Sequence, residues 1–301
     1  MKTRNVFITT TLALMLGAIT ASFTMAQHRS TGPKTDTRIL YHGGRIVTGV
    51  PNVYMIWYGC WGTTCGNWGD PTVQIDLITL VSNLGSSPYF QINTTYPNPN
   101  SPDQVPSGAL FFGGSSVDRF YSQGVDLTDA DLAAIVSNQV LSSGLPLDPS
   151  GLYIIVGSED VAANAVGFCS PGAPPHHGTS TVLGSEFRYG FIGHAGRCPS
   201  VAGAQFMAVN GTMLPTPNND FAADAMASDF AHLVSTMITD PYGNGWYDKY
   251  GLENADKCQG QFGPTYTTAN GARANVHLEY RDYLIQENWV NDKRARCAMS
   301  Q

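Results

Sequence analysis

Apolar strands and amphipathic helices alternate along the first half of the chain, and this order constrains the fold more than any other feature. Apolar or aromatic runs of strand length occur at residues 53–58, 108–114 and 151–161, and helical segments separate them at residues 70–85 and 128–144. Strands that are connected through helices pair in parallel and are covered by those helices. The sequence therefore predicts an α/β fold of mixed α+β character, with a mostly parallel sheet and packed helices.

Both helices have clear terminal signals. Asp70 is a suitable N-cap for the first helix, Pro71 suits its first position, and Gly85 ends it. In the second helix, Thr128 and Asp131 form a pair of the capping-box type. These signals fix where the two helices begin.

The second half of the chain is less regular. Residues 168–181 read as a loop, residues 186–194 as a further strand at an edge of the sheet, and residues 217–241 as a third, longest helix that Pro241 ends. Residues 276–297 form a mixed terminal element. No low-complexity linker divides the chain, so residues 39–301 are predicted to form one domain.

The N-terminus is typical of a secretory signal peptide. Lys2 and Arg4 precede an apolar run, and small residues before Gln27 suit cleavage, so residues 1–26 are predicted to be removed. The alternative is a single uncleaved anchor. The exported chain is predicted to be extracellular or periplasmic. Residues 27–38 are polar and are predicted to form a flexible arm. No later segment is apolar over the roughly 20 residues of a bilayer span, so the exported chain is predicted to have no membrane span.

All six cysteines lie beyond the predicted cleavage site, and an even number in an exported chain indicates disulfides. Six cysteines allow fifteen pairings. Pairing of nearest neighbours is favoured because it closes local loops. The predicted bridges are Cys60–Cys65, Cys169–Cys198 and Cys258–Cys297.

The charge balance excludes one class of partner. The formal net charge is −7, and the sequence contains no run of basic residues that could follow a phosphate backbone. Nucleic acid is therefore not an expected partner. The sequence does not identify the extracellular ligand. A cell-wall component, a peptide and a sugar are the three candidates.

The third helix has one narrow apolar stripe at about 100° per residue. The stripe, predicted to face the core, consists of Met226, Phe230, Leu233 and Met237. A separate polar side carries Ser228, Asp229, His232 and Thr236. Periodicity therefore places His232 outside the buried core, as a ligand or as a solvated or hydrogen-bonded side chain.

The segment FAHLVSTMITDPYGNGWYD, residues 230–248, ends like the metal-binding helix of a zinc peptidase. Such a helix needs two ligands one turn apart and a glutamate that follows the first ligand and acts as general base. Here His232 takes the first ligand position, but Leu233 replaces the base and Thr236 replaces the second ligand. Metal-assisted hydrolysis by this helix is predicted to be lost, and no catalytic residue is assigned.

Several longer segments occur in an order that resembles one family. They are YHGG at 41–44, NVYMIWYG at 52–59, GLYIIVGSEDV at 151–161, GFCSPGAPPHHG at 167–178, NNDFAADAM at 218–226, DPYGNGWYD at 240–248, ENADKC at 253–258 and DYLIQENWVN at 282–291. Together they resemble the EXORDIUM family, also called phosphate-induced protein 1, and the chain looks most like its bacterial-type members. The resemblance implies a secreted protein. Plant members are apoplastic proteins associated with growth, a role that does not carry over directly.

The resemblance also bears on metal binding. Some relatives have His-Glu-Leu-Ala-Glu in the third helix and Glu-Ile-Ala-Asp-x-Cys downstream, a pattern similar to that of zincins. Alignment on DPYGNGWYD places His232 on the family histidine, and Glu253, Asp256 and Cys258 on the downstream segment. The resemblance thus implies a zincin-like domain. Zinc is a possible cofactor, with His232, Glu253 and Asp256 as weak ligands.

Other residues offer further candidates. His176 and His177 lie near Cys169 and are either metal ligands or an exposed pair in a loop. Trp246 is a candidate binding residue because tryptophans stack on sugars, although such residues are often core aromatics. Glycosidase chemistry would need two carboxylates at a set distance, which sequence does not provide.

Three functions therefore remain open. The first is a non-catalytic extracellular binding protein on a degenerate peptidase scaffold, with His232, Asp229 and Trp246 as candidate binding residues. The second is a metal-dependent hydrolase that uses His232 with downstream carboxylates. The third is a carbohydrate-binding or carbohydrate-active protein.

Overall fold

A central sheet flanked by helices organises the computed structural model, which describes residues 38–62 and 70–301. The elements up to the long helix are β1 (Leu40–Tyr41), β2 (Asn52–Tyr58), α1 (Pro71–Leu84), β3 (Phe111–Asp118), α2 (Asp129–Leu141), β4 (Leu152–Gly157), β5 (His177–Val182), β6 (Ser185–Ile192), α3 (Pro199–Ala202) and α4 (Phe221–Thr239). Short strands follow: β7 (Trp246–Tyr247), β8 (Tyr266–Thr267), β9 (Arg273–Ala274), β10 (Val276–Leu278), β11 (Arg281–Tyr283), β12 (Asn288–Val290) and β13 (Arg296–Ala298).

The central sheet has the strand order β3–β2–β4–β6–β5. Strands β3, β2, β4 and β6 pair in parallel, and β5 pairs with β6 antiparallel. The predicted mostly parallel sheet is confirmed. Two details were wrong: β6 is not an edge strand, and residues 177–182 form a strand instead of a loop. The short polar sequence of β5 lacks the apolar run that marks an inner strand.

The alternating side chains of β2 show why both faces of the sheet are covered. One face packs against α1 and α4 and carries Val53, Met55 and Trp57, while the other packs against α2 and carries Tyr54, Ile56 and Tyr58. An inner parallel strand that is apolar on both faces requires helices on both faces. The result is a three-layer arrangement with α1 and α4 on one side and α2 on the other.

The predicted starts of the first two helices are confirmed. Asp70 accepts a hydrogen bond from the Val73 backbone N–H at the start of α1, and Pro71 is its first residue. Thr128 and Asp131 form a capping box at α2. Helix α4 starts after the N-cap Asp220, later than predicted from the sequence.

Helix α4 is buried on nearly all sides, which corrects one prediction. The stripe of Met226, Phe230, Leu233 and Met237 is buried as expected, but Ser228, His232 and Thr236 on the polar side are buried as well. Later parts of the chain cover that side. The Gln286 backbone N–H donates to Ser228 Oγ, and the Asn254 side chain donates to the Ser235 carbonyl. His232 is therefore a buried, hydrogen-bonded residue and not a solvated one.

Two of the three predicted disulfides are confirmed, Cys169–Cys198 and Cys258–Cys297. The first ties the loop after β4 to the start of α3, and the second ties β13 to the segment after α4. The predicted Cys60–Cys65 bridge lies outside the described residues, because Cys65 does.

Some predictions concern parts of the chain that the structure does not describe. The predicted signal peptide, residues 1–26, and the predicted arm, residues 27–38, lie outside the described residues except for Arg38. Both stay predictions. Within residues 38–62 and 70–301, no helix has the length and apolarity that a bilayer crossing requires. The mixed α/β fold is established, but the zincin-like assignment is not confirmed.

Candidate functional site

A two-part cleft lies between α4 and the loop of residues 166–176, which follows β4. The first cavity has a volume of about 100 Å³ and the second of about 290 Å³. Both are lined by Val166, Ala173, Pro174, Pro175 and His176. Because they share this wall, the two cavities are neighbours along the same loop.

The cleft lies where parallel sheets commonly bind ligands. Phe191 and Ile192 at the carboxyl end of β6, and Gly193 just after it, line the first cavity. The loop of residues 166–176 follows the carboxyl end of β4, the neighbouring parallel strand. Loops at the carboxyl ends of parallel strands form ligand crevices in open α/β sheets. The cleft thus lies at the carboxyl ends of β4 and β6, the end of the sheet where such crevices form.

Apolar side chains form most of the first cavity. They are Val166, Phe168, Pro174, Pro175, Phe191, Ile192, Val201 and Ala202. The Cys169–Cys198 disulfide joins the loop of residues 166–176 to the segment that provides Val201 and Ala202. Gly193 is required here because a Cβ would overlap the ring of Phe168. The Phe168 ring and the Cys169–Cys198 disulfide together hold the loop of residues 166–176 over the carboxyl end of β6.

Asp229 of α4 is the acidic residue of the first cavity. Its side chain is half-buried and has no hydrogen bond or ion pair within the part of the chain that the structure describes. Burial raises the pKa of Asp229 to about 7, although the nearby charge of His232 opposes this shift. A carboxyl group with this pKa is present in both charged and neutral forms near neutral pH.

Two histidine–carboxylate pairs lie at the second cavity. His232 Nε2 is 2.7 Å from Asp256 Oδ1, and His177 Nε2 is 3.2 Å from Glu253 Oε1. The two pairs are linked, since the Glu253 backbone N–H donates to Asp256 Oδ2 at 3.0 Å. His177, Glu253 and Asp256 line the cavity. The structure therefore brings together His232, Glu253 and Asp256, as the sequence suggested, and adds His177.

The charges of these pairs support each other. Burial disfavours the charged form of Asp256, but the hydrogen bond and charge of His232 outweigh it and lower the pKa of Asp256. Burial likewise disfavours the imidazolium of His177, and the hydrogen bond and charge of Glu253 outweigh it and raise the pKa of His177. At Glu253 burial outweighs the hydrogen bond and charge of His177, so the pKa of Glu253 is raised as well.

The arrangement does not fit a zinc site. The described residues contain no group of three or more His, Cys, Asp or Glu side chains placed to hold a metal ion. His232 Nε2 is bonded to Asp256, and the Thr236 hydroxyl donates to the Leu233 carbonyl at 2.9 Å. Both side chains at the ligand positions of the zinc-peptidase helix are therefore engaged within the protein.

The base position of that helix also faces away from the cleft. Leu233 is fully buried, and a Cβ added to Gly190 of β6 would lie 2.7 Å from Leu233 Cδ1. The side chain at position 233 therefore points at the sheet. A glutamate there would be buried against β6 and would not reach a water molecule on His232.

The remaining candidate residues lie elsewhere or have partners. Trp246 is buried in an aromatic cluster, with its ring 5.5 Å from the rings of Tyr41 and Tyr96, and lines neither cavity. His176 Nε2 is 2.6 Å from Asp129 Oδ1, so His176 is half-buried and paired instead of exposed. Of the candidate binding residues, Asp229 alone lines the cleft directly, and His232 lies behind Asp256.

Sequence reasoning missed the first cavity. Phe168, Gly193 and Gln259 were not recognised as parts of a site. One signal was available: a glycine directly after a buried strand, at the edge where parallel strands end, is a common position for close approach. The pairing of His177 with Glu253 had no local signal, because the two residues are far apart in the sequence.

Comparison with known proteins identifies the family. The family model described as phosphate-induced protein 1 conserved region matches residues 39–299. Protein EXORDIUM-like 3 of Arabidopsis thaliana is 29% identical over 291 residues, which cover 88% of this chain and 84% of that protein. Protein EXORDIUM of Arabidopsis thaliana is 25% identical over 277 residues, covering 84% and 82%, respectively.

A tobacco relative gives the same result. Protein PHOSPHATE-INDUCED 1 of Nicotiana tabacum is 25% identical over 276 residues, which cover 81% of this chain and 83% of that protein. No solved structure matches the chain. The match of the family model over nearly the whole described region shows that the chain belongs to the phosphate-induced protein 1, or EXORDIUM, family.

Proposed function

We propose that this chain is a secreted, non-catalytic binding protein whose ligand occupies the two-part cleft beside α4. The predicted signal peptide and the two disulfides of the described region support an extracellular location. The ligand is a cell-wall component, a peptide or a sugar. The second cavity, at about 290 Å³, is close to the lower limit for small-molecule pockets.

One observation carries the proposal: α4 uses its polar groups to stabilise the fold instead of a metal ion. The His232 imidazole forms a hydrogen bond with the Asp256 carboxylate. The Thr236 hydroxyl donates a hydrogen bond to the Leu233 carbonyl of the same helix, and the Leu233 side chain packs on the sheet. A zinc-peptidase helix needs the equivalent three positions for two ligands and a base. The scaffold therefore offers a cleft without that hydrolytic machinery.

The proposal is tested by filling the cleft. Ala173 lines both cavities, so Ala173→Phe places a ring in their shared wall. We expect the wild-type protein to bind particular spots on a glycan array or a peptide array, and Ala173→Phe to lose at least tenfold in affinity. Ala208→Phe, at another partly exposed alanine outside the cleft, is the matched control. Binding that Ala173→Phe leaves unchanged would exclude this cleft as the site.

A second candidate function is a metal-dependent hydrolase. It is favoured by the contiguous set of His232, Asp256, Glu253 and His177. Zinc content of the purified protein after dialysis against zinc separates the two functions. We expect less than one zinc per chain and no change in His232→Ala. One zinc per chain that is lost in His232→Ala, together with chelator-sensitive peptide cleavage, would overturn the binding proposal.

A further inference from the structure

The first cavity has the form of a recognition pocket for one charged group. We propose that it binds an ammonium group on a short unbranched aliphatic chain, as in a lysine side chain of a peptide or in a free alkylamine. This inference rests on the proposed function and narrows the ligand that the cleft binds. It is carried by three features of the cavity: its size, its apolar walls and its single free carboxylate.

The size excludes bulky groups. A cavity of about 150 Å³ accommodates a benzene ring, and the first cavity has about 100 Å³. A sugar ring with its hydroxyl groups or an indole has more heavy atoms than benzene and is too large, whereas an unbranched chain of four or five atoms has fewer heavy atoms than benzene and is narrower. The apolar walls, formed by Phe168, Phe191, Ile192 and the two prolines, would replace the water around such a chain.

The Asp229 carboxylate determines which terminal group of an aliphatic ligand the first cavity favours. Asp229 has no hydrogen-bond or ion-pair partner among the described residues. The other ionisable side chain of the lining, His176, is bonded to Asp129. The Gln259 amide donates to the Ala173 carbonyl. A cationic ligand would supply the missing partner of a poorly solvated carboxylate, whereas a carboxylate ligand would be repelled.

The second cavity suits the rest of such a ligand. It shares the wall of residues Ala173 to His176 with the first and is lined by the polar side chains of Thr236, Glu253 and Asp256. A peptide with a lysine side chain in the first cavity would therefore place its polar main chain beside these groups. This division resembles a specificity pocket next to a backbone-binding groove.

The inference is tested by NMR titration of the folded chain with three small probes of similar shape: n-butylammonium, 1-pentanol and pentanoate. We expect saturable shifts of the Gly167 and Gly193 amides with butylammonium, with a dissociation constant on the order of millimolar for so small a ligand. Pentanol should bind about tenfold more weakly, and pentanoate should not bind. Equal affinity for all three probes would overturn the inference.

Two variants make the test specific. Asp229→Asn, which keeps the shape of the side chain, should remove the preference for the amine over the alcohol. Asp103→Asn, at an exposed loop carboxylate away from the cleft, should keep it. If Asp229→Asn does not fold, Ala173→Phe serves instead, because it retains Asp229 but should block all probes. Unchanged amine binding in the variant used would overturn the inference.

A further titration with two peptides distinguishes a peptide lysine from a free alkylamine as the source of the ammonium group. Ala-Lys-Ala and its norleucine analogue have the same backbone, and the norleucine side chain has the four carbons of lysine without the terminal ammonium group. Tighter binding of the lysine peptide than of butylammonium supports a peptide ligand, and binding of butylammonium alone supports a free amine. The array experiment is independent of this one: binding to the cleft on the arrays without any amine preference would overturn this inference and leave the proposed function standing.

Discussion

At the scale of single residues, position 233 shows best how α4 differs from the helix of a zinc peptidase. Leu233 lies against Gly190 of β6, and the close approach is possible because Gly190 has no side chain. Its neighbour His232 points away from the sheet and bonds Asp256. The sequence gives only which residue occupies position 233, whereas the fold shows where the side chain at that position points.

We therefore expect that restoring the missing glutamate will not restore a metal site. Leu233→Glu places a carboxyl group in the core between α4 and β6 without a partner, which should cost roughly 3 kcal/mol or more of unfolding free energy. Leu233→Met, the matched control of similar volume, should cost less than about 1.5 kcal/mol. Urea unfolding and zinc content measure both effects. A stable Leu233→Glu protein that binds one zinc per chain would show that position 233 faces the cleft.

Residue periodicity could predict only part of this environment. It identified the stripe of Met226, Phe230, Leu233 and Met237 correctly, because the sheet covers that side of the helix. It placed His232 wrongly, because the groups that cover the other side come from distant segments. Asp256 and Gln286 follow His232 by many residues, and no local pattern in the helix records their approach.

At the scale of elements, the Cys169–Cys198 disulfide defines the first cavity. It joins two segments whose cysteines are 29 residues apart in the sequence and which both line the cavity. The helices that flank the sheet were predictable because their caps are local in sequence. Strand β5 was not, because an edge strand with polar residues has no distinctive pattern and is specified by its partner β6.

We expect that removing the Cys169–Cys198 disulfide will increase the mobility of residues 166–176 and reduce the free energy of unfolding. In the chain-entropy account, a loop of this length contributes about 3–4 kcal/mol. In the double variant Cys169→Ser/Cys198→Ser, amides of residues 166–176 should exchange faster with solvent. Cys258→Ser/Cys297→Ser, which opens a bridge across 39 residues, is the control and should destabilise the protein without a specific effect on that loop. Equal exchange in the two variants would show that the disulfide does not hold the cavity wall.

At the scale of the whole molecule, the sequence predicts the order of the strands and helices in the first half of the chain but not the structure of residues 242–301. The first half of the chain alternates strands and helices, and this order leaves few topologies for a parallel sheet. Residues 242–301 form short paired strands, of which β11 packs on α4 and β10 on α1, and have little regular structure of their own. They nevertheless provide Glu253 and Asp256, so the site depends on the part of the chain with the weakest sequence signal.

Buried and half-buried ionisable groups give the molecule a predictable response to pH. Burial raises the pKa of Asp224 to about 6 and that of Asp229 to about 7, from 3.8. The pKa of His177 is also raised, because Glu253 outweighs the effect of burial. For all three groups the folded chain holds a proton more strongly than the unfolded chain, so their stabilising effect is lost as the pH rises through the folded-state values.

We therefore expect the melting temperature to fall between about pH 5 and pH 8, by on the order of 5 °C at constant ionic strength. Below the ordinary aspartate range the trend should reverse, because the lowered pKa of Asp256 adds stability that is lost on protonation. Calorimetry across this range measures the effect, and Asp229→Asn should reduce the decline because an amide does not titrate. A melting temperature that stays level or rises from pH 5 to pH 8 would show that these side chains are solvated. The first cavity would then lack the poorly solvated carboxylate of Asp229, on which the proposed binding of an amine depends.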